Sequence, residues 1–441
     1  MMKKVADIQN KGLRLAVLGS GYVGLPTAAL FADAGFYVTA VDINPEVVKI
    51  VNSGISPIKE PGLNELVSRN VQNGRLKATS SLEVLAQVDV IIVSVQTPID
   101  KNKKPNLSFL MKAIEDMGKT LKKGILVVIN STIPPGTMLE KIKPKLELLS
   151  GLRAEEDFYL AYVPERIAPG KALKEFVKSP RLVGGIGPNS TRIVSELFRM
   201  VCRTVIETDA TTAEIAKLAE NTFRDVNIAF ANQLALVCEQ HGVDVMEVIR
   251  LANTHPRVNI HMPGPGVGGP CLTKDPYFLT YGISLKTRDL IGTARQINDY
   301  MPRHIVESVI DALKENGKDV KSSTIAVLGT AYKGDIDDSR NSPSELIIKR
   351  LKKMGGKIKV YDPYCKETFG AHKTNSIKES VENADLVIVL TDHTLFKNLD
   401  LQKIKQLMRK KPIIIDSRRI VDPNEAVDQG FIYYGVGLGK L

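Results

Sequence analysis

Tryptophan is absent from this chain, and aromatic residues together make up only 5% of it. Surfaces that grip single-stranded nucleic acid stack bases on aromatic side chains set between basic ones. That material is missing, although the net charge is +11, from 60 Lys+Arg against 49 Asp+Glu. The lysines are scattered along helical stretches such as residues 141–145 (KIKPK) and 347–357 (IIKRLKKMGGK), the pattern of solvated faces. No nucleic-acid partner is expected. Cysteine is scarce too, with four residues at 202, 238, 271 and 365 and no CxxC pair. This excludes a disulfide framework and a CxxC metal site, and it suits a reducing compartment. Long apolar runs are also lacking. Val88–Val95, broken by Asp89 and Ser94, falls far short of the ~20 residues of a membrane span and reads as a buried strand. The N-terminal segment MMKKVADIQNKG has no apolar run of the signal-peptide kind. The expectations are a cytoplasmic location, no membrane partner and no metal.

What is present begins with length. A chain of 441 residues, 43% hydrophobic and 25% charged, has room for two or three globular domains. It contains a diverged duplication. Leu13–Leu18 is a short apolar strand, followed by Gly-Ser-Gly-Tyr-Val-Gly at 19–24. A helical stretch runs to Ala34, Gly35 ends it, and a second strand, Tyr37–Val41, closes on Asp42. Thr324–Leu328 repeats the first strand, leading into Gly329-Thr-Ala-Tyr-Lys. A helix from about Pro343 to Met354 then ends at Gly355-Gly356, and Ile358–Tyr361 closes on Asp362. Ala384–Leu390 likewise echoes Gln87–Val93. Strands alternating with helices at this spacing imply parallel sheets. The fold expected is α/β, two doubly wound Rossmann-like domains joined by a long central helix.

That helix is read from 213–239, where Ile215, Leu218, Ala219, Phe223, Val226, Ala229, Phe230, Leu234 and Val237 recur mostly at three- or four-residue intervals. Such an element suits a spine between domains or a dimer surface, and a homodimer, or a dimer of dimers, is expected. Residues 253–271, rich in Pro and Gly, read as an ordered loop. The limits expected are a dinucleotide-binding domain over 1–208, a central helical region over 209–312 and a second Rossmann-like domain over 313–441.

Gly19-x-Gly21-x-x-Gly24, after a strand and opening a helix, is the dinucleotide fingerprint: its glycines permit a tight turn and bring helix N–H groups to a pyrophosphate. Asp42, at the end of the second strand, is placed to accept from a ribose 2′-OH and would repel a 2′-phosphate, so NAD is expected over NADP. Tyr22, Val23 and Thr97 join Gly19, Gly21, Gly24 and Asp42 as candidate cofactor residues. The second copy lacks the later glycines and carries an insertion, residues 333–342, so 33 residues separate Gly329 from Asp362 against 23 between Gly19 and Asp42. A different ligand is expected there, with Lys333 and Arg340 available to phosphates. Cys271 ends Gly264-Pro-Gly-Val-Gly-Gly-Pro-Cys, with Lys274 and Asp275 within one helical turn. Glycines allow close approach and a nearby cation favours a thiolate, so Cys271 is the candidate nucleophile, whereas Cys202 and Cys238 read as small buried hydrophobes.

Gly19–Asp42, Ser131-Thr-Ile-Pro-Pro-Gly-Thr137, Pro164-Glu-Arg166, Lys217-Leu-Ala-Glu-Asn221, Gly268-Gly-Pro-Cys-Leu-Thr-Lys-Asp275 and Tyr332-Lys-Gly-Asp-Ile-Asp-Asp-Ser-Arg340 fall in the order seen in the UDP-glucose/GDP-mannose dehydrogenase family, which the chain resembles over essentially its whole length. His255-Pro-Arg-Val-Asn-Ile260, Pro164–Gly170 and Asp275-Pro-Tyr-Phe278 resemble the acetamido-sugar branch. The resemblance implies NAD-dependent four-electron oxidation of a UDP-sugar at C6, of UDP-N-acetyl-D-mannosamine in the first place. UDP-N-acetylglucosamine and UDP-glucose are the alternatives. It also implies the site. Cys271 is then the nucleophile that forms a thiohemiacetal and a thioester. Lys217 and Asn221 polarise the C6 oxygen, Asp275 activates a water and positions Lys217, and Glu165 with Thr132 serves hydrolysis. Glu165, Arg166, Lys217, Asn221, Lys333 and Arg418 are implied at the substrate, Arg257 across a subunit boundary, and Arg340 near the cofactor. Position 270 departs from the pattern: it is Pro270, where the acetamido branch has His and the glucose branch Ser, and Leu-Thr-Lys-Asp after Cys271 leans toward the glucose or GDP-mannose form.

Overall fold

The structure is a computed structural model that describes residues 2–284 and 286–441. Met1, in the N-terminal segment read above, lies outside them. Among the described residues the chain forms two compact units, 1–220 with 277–283, and 221–276 with 284–441.

The first unit is built on a sheet of β1 (Arg14–Leu18), β2 (Tyr37–Val41), β3 (Leu76–Thr79), β4 (Val90–Val93), β5 (Leu126–Ile129), β6 (Tyr159–Tyr162), β7 (Arg181–Gly185) and β8 (Val205–Asp209). Their order is β3-β2-β1-β4-β5-β6-β7-β8, parallel except where β6 meets β7. Successive side chains of a strand point to opposite faces. Leu15 and Val17 accordingly enter one core with Val90, Ile92, Phe31 and Phe198, while Ala16 and Leu18 enter the other with Ile91, Val93, Met117 and Phe158. Both faces are buried, which is why these strands read as apolar runs instead of alternating ones. Strand order reverses between β1 and β4, so the loops after these two strands form the crevice where open α/β sheets take ligands.

The second unit repeats this design with β9 (Thr324–Leu328), β10 (Lys357–Tyr361), β11 (His372–Lys373), β12 (Leu386–Val389), β13 (Ile413–Asp416), β14 (Ile432–Gly435) and β15 (Gly439–Lys440), ordered β11-β10-β9-β12-β13-β14-β15. The expected duplication and fold class are thus present, with strand ends shifted by a residue or two from the sequence reading. β4, for example, is Val90–Val93, shorter than Val88–Val95.

The long helix is Ala210–His241, 32 residues, and the chain passes from the first unit to the second within it, at 220/221. In the second unit Ala231, Ala235 and Cys238 of this helix pack with Met301, Ile305 and Val309 of the helix Leu290–Glu315 against Ile325 and Val327 of the sheet. A buried polar cluster joins the two helices. Arg295 Nη1 donates to Asp225 Oδ1 at 2.6 Å, Asn298 Nδ2 donates to the same oxygen at 2.9 Å, and Asn232 Nδ2 donates to Asn298 Oδ1 at 2.9 Å. Buried charges persist only when paired in this way. Pro302 lies inside the second helix and removes the N–H that would reach the Asn298 carbonyl. Gly266, at φ +118, lies close to that carbonyl, where an added Cβ would come within 2.9 Å of the Asn298 oxygen.

Candidate active site

The cofactor end belongs to the first unit. Gly19 takes φ +91, and its N–H bonds the Val41 carbonyl at 2.8 Å. A Cβ there would lie 2.6 Å from the Ser94 oxygen, and one at Gly24 1.7 Å from the Gly19 oxygen, so both positions are sterically closed to any side chain. At Gly21 a Cβ would meet nothing within 4 Å, leaving open space in the turn. The helix Gly24–Asp33 starts without a side-chain cap, so its positive end is left open to an anion although Leu25 N–H bonds the Gly21 carbonyl at 3.1 Å. Asp42 is held at the rim by Ser20 N–H to Oδ2 at 2.8 Å and Asn44 N–H to Oδ1 at 2.9 Å. The turn, the open glycine, the uncapped helix and the fixed carboxylate fit NAD. Tyr22 and Val23 lie in the turn, and Thr97 is buried after β4.

The second sheet keeps the glycine turn, with Gly329 at φ +94, but its matching carboxylate is enclosed. Asp362 Oδ2 accepts from Thr330 N at 2.7 Å and Ala331 N at 3.1 Å, and it lies 3.1 Å from Nε2 of the fully buried His393. His393 Nδ1 accepts the Asp335 N–H at 2.8 Å, which assigns the ring proton to Nε2 and makes it the donor to Asp362. Burial acts to raise the Asp362 carboxyl, but the His393 and backbone hydrogen bonds outweigh it and hold it below the usual carboxylate range. The ribose position of the second copy is therefore occupied by the protein itself. Sequence reasoning missed His393, because it lies 31 residues from Asp362 with no motif to link them.

The thiol loop belongs to the second unit. Gly264 N–H donates to Asn232 Oδ1 at 2.8 Å, and Gly269 N–H to the Arg340 carbonyl at 3.0 Å. A Cβ at Gly268 would come within 2.7 Å of Tyr332 Cβ, and one at Gly269 within 2.7 Å of Tyr332 Cε2. These glycines let the loop press against the inserted segment 332–341, and Cys271 emerges exposed. Its carbonyl accepts from Lys274 N at 3.0 Å and Asp275 N at 2.9 Å, a single turn that sets the three residues side by side. The Asp275 carboxylate is fully buried and accepts from Asn221 Nδ2 at 2.6 Å and Lys274 Nζ at 2.9 Å. The structure thus brings Asn221, Asp275 and Cys271 together. It also gives Lys274 a part beyond that of a nearby cation, as an ion-pair partner of Asp275. At the end of β13, Arg418 Nε donates to the Leu390 carbonyl at 2.9 Å and Nη2 to that of Tyr332 at 3.1 Å. Lys333 is exposed beside Tyr332. Arg340 pairs with Asp338 at 2.5 Å, and Arg257 is exposed in the loop 253–258.

The remaining candidates lie in the first unit. A lysine and an asparagine four apart in a helix ordinarily mark a solvated face, yet Lys217 is only 6% exposed. It belongs to the first unit and Asn221 to the second. Glu165 is buried, and its Oε1 accepts from Arg166 N, Ile167 N and Arg181 Nη1 at 2.7, 2.9 and 3.0 Å. Arg166 spends its guanidinium on Glu220, Nη2 to Oε1 at 2.7 Å, and on the Pro180 carbonyl at 2.6 Å. The segment after Glu165 is pinned by other carboxylates. Glu175 accepts from Ala168 N at 2.7 Å, and Glu60 from Gly170 N and Ala172 N, both at 2.7 Å. Glu60 lies 110 residues upstream of Gly170 and carried no sequence signal.

Thr132 is half-buried in the loop 131–137, which is held from behind by the fully buried Glu214. Glu214 Oε2 accepts Gly136 N–H at 2.6 Å and Oε1 accepts Met138 N–H at 2.8 Å. Burial pushes its carboxyl up to about 7, the two backbone donors opposing the rise. A carboxyl with a raised folded value adds stability while protonated and loses it as pH climbs through that value. Its contribution is complete below the ordinary value of 4.5 and lost as pH passes about 7. Wild type should therefore lose about 3 kcal/mol relative to Glu214→Gln between pH 4.5 and 8, read from denaturant unfolding at each pH.

A dinucleotide crevice in one sheet, a second sheet that closes its own ribose position, and an exposed thiol beside a buried carboxylate define a nucleotide-dependent dehydrogenase. Models of the UDP-glucose/GDP-mannose dehydrogenase family match its NAD binding domain at residues 13–202, its central domain at 211–300 and its UDP binding domain at 326–423. A UDP-N-acetyl-D-mannosamine dehydrogenase of Pyrococcus horikoshii is 44% identical over 97% of this chain and 100% of its own length. A solved structure of that organism's UDP-D-ManNAc dehydrogenase superposes with a TM-score of 0.92 over 97% of this chain and 100% of its own. An NDP-N-acetyl-D-galactosaminuronic acid dehydrogenase of Ralstonia nicotianae is 38% identical over 95% of this chain and 98% of its own length. The chain belongs to the UDP-glucose/GDP-mannose dehydrogenase family, and it is a nucleotide-sugar dehydrogenase with an NAD-binding and a UDP-binding domain. Among the described residues no helix is long and apolar enough to cross a membrane.

Proposed function

We propose that the chain oxidises UDP-N-acetyl-D-mannosamine at C6 to UDP-N-acetyl-D-mannosaminuronate, in the cytoplasm, with Cys271 as the covalent nucleophile. The observation that carries this is the exposed thiol on a glycine loop, one turn from the fully buried Asp275 that holds Asn221 and Lys274. NAD, when bound, accepts a hydride from C6 in each of two successive oxidations. The first leaves an aldehyde. The Cys271 thiolate adds to it while Lys217 and Asn221 stabilise the developing oxyanion, and loss of the second hydride turns the thiohemiacetal into a thioester. Asp275 orients this group through Asn221. Glu165, with Thr132, draws a proton from the water that displaces the thiolate. In sum, one alcohol, two NAD+ and one water give one carboxylate, two NADH and three protons. Lys333 and Arg418 take the UDP phosphates, and Arg340 serves near the cofactor. Domain limits of 1–208, 209–312 and 313–441 follow this division of labour.

Purified protein with NAD+ and each UDP-sugar, followed at the NADH absorbance, tests the sugar. UDP-N-acetyl-D-mannosamine should give the highest kcat/KM. Pro270 favours a second reading, and best turnover of UDP-glucose or UDP-N-acetylglucosamine would replace the first. For assembly, the apolar positions of the long helix divide between faces: Leu218 and Ala229 are buried, while Ile215, Phe223, Phe230 and Val237 remain exposed, Phe223 by 61%. Four large apolar side chains on one helix suit a second copy of the chain, with Arg257 reaching its partner's site. Phe230→Glu should convert a dimer to a monomer in light scattering. A wild-type monomer would sink this part.

A further inference from the structure

The first residue of β7, Arg181, is among the most enclosed charges of the first unit, with 2% of its surface exposed. Its guanidinium lies 4.3 Å above the Phe176 ring. Nη1 donates to Glu165 Oε1 at 3.0 Å and to the Pro164 carbonyl at 3.2 Å. Glu165 Oε1 thus takes three donors, while its Oε2, equally buried, has no partner among the described residues. This asymmetry calls for an account. A buried carboxylate oxygen without a donor costs free energy, which leaves this one as an acceptor for a ligand or a water. We infer that Arg181 is a positioning residue that holds Glu165 turned so that Oε2 is presented to the water that hydrolyses the thioester. The inference rests on the hydrolytic part assigned to Glu165 above and deepens it.

Arg181 is the cation paired with Glu165, at 3.0 Å and with both side chains buried. The other groups facing the carboxylate are the Cys202 thiol, which burial pushes up and so leaves neutral, and Arg166, whose guanidinium Glu220 engages. Without Arg181 the carboxylate loses the side-chain donor that fixes Oε1 and is free to turn Oε2 away from the water, so hydrolysis slows while substrate binding persists.

Arg181→Met and Arg181→Lys test this alongside Glu165→Gln and the double variant Arg181→Met/Glu165→Gln. Removing one partner of a buried pair is costly, so Arg181→Met alone endangers folding, whereas the double variant leaves no lone charge. In Arg181→Met kcat at neutral pH should fall about tenfold or more with KM little changed, and less in Arg181→Lys, while intact mass spectrometry should show acyl-Cys271 accumulating. Adding Arg181→Met to Glu165→Gln should cause no further loss. Wild-type kcat in folded Arg181→Met, or equal losses from Arg181→Met in the wild-type and Glu165→Gln backgrounds, would overturn the inference. Failure of the function itself reads differently, since wild type would then reduce no NAD+ with any UDP-sugar.

Discussion

Cys271→Ser should retain the fold and NAD binding yet lose uronate formation by a factor on the order of 10⁴ or more, the scale seen when a covalent nucleophile is removed. The thiolate adds to an aldehyde to give a species that still carries a transferable hydrogen on carbon, and the sulfur later leaves readily. A serine hydroxyl in the same place has neither the acidity to form the anion nor the leaving ability. The ratio of NADH to UDP-sugar consumed should fall from two to at most one, measured by absorbance against product chromatography. Cys271 is exposed at the head of its turn, so substitution there opens no cavity, and the unfolding temperature should barely move. A nucleotide-sugar-sensing module without chemistry predicts the reverse, that Cys271 is dispensable. Undiminished uronate from Cys271→Ser would therefore rule out the mechanism.

Asp275→Ala should give the second largest effect, and it should strike stability and rate together. The carboxylate is fully buried, and Lys274, its ion-pair partner, has a side chain only 15% exposed. Removing the acid breaks that pair, a loss of roughly 3–5 kcal/mol for a pair broken in a buried setting. It also frees Asn221, which the carboxylate holds at 2.6 Å and which is proposed to face the reacting oxygen. Losing one preoriented donor of this type costs about 10²–10³-fold in kcat. Asp275→Asn keeps the shape but sets an amide against Lys274 and should recover little. Calorimetry and steady-state kinetics on both variants check this. Full activity in Asp275→Ala would show that Asn221 needs no such hold.

Much of this was legible in the chain. The glycines at 19 and 24, with Asp42 closing the next strand, specify a dinucleotide turn because a side chain at either would strike backbone, and Gly21 leaves the turn open. The apolar runs 90–93 and 386–389 specify doubly covered strands because both faces of such a sheet are buried. The glycine loop singled out Cys271 for the same steric reason, since Gly268 and Gly269 press on Tyr332. Each of these is a local requirement, written in consecutive residues.

What only the tertiary structure decided involves partners distant in sequence. Helical spacing could place Lys217 and Asn221 on one face but not show that Lys217 is buried, because burial depends on what packs there. The same helix's apolar positions divide between core and surface, a division periodicity cannot make. Asp275 meets Asn221 across 54 residues, Asp362 meets His393 across 31, and Glu60 pins Gly170 across 110. Whether a carboxylate in this protein is left at the rim of a crevice, as Asp42 is, or is taken by the chain's own histidine, as Asp362 is, depends on what folding brings to its lone pairs. The sequence by itself determined the framework and singled out the thiol proposed as nucleophile. The fold decided which charges are buried, which are paired and which are left for a ligand, because desolvation and hydrogen-bond geometry exist only once distant segments meet.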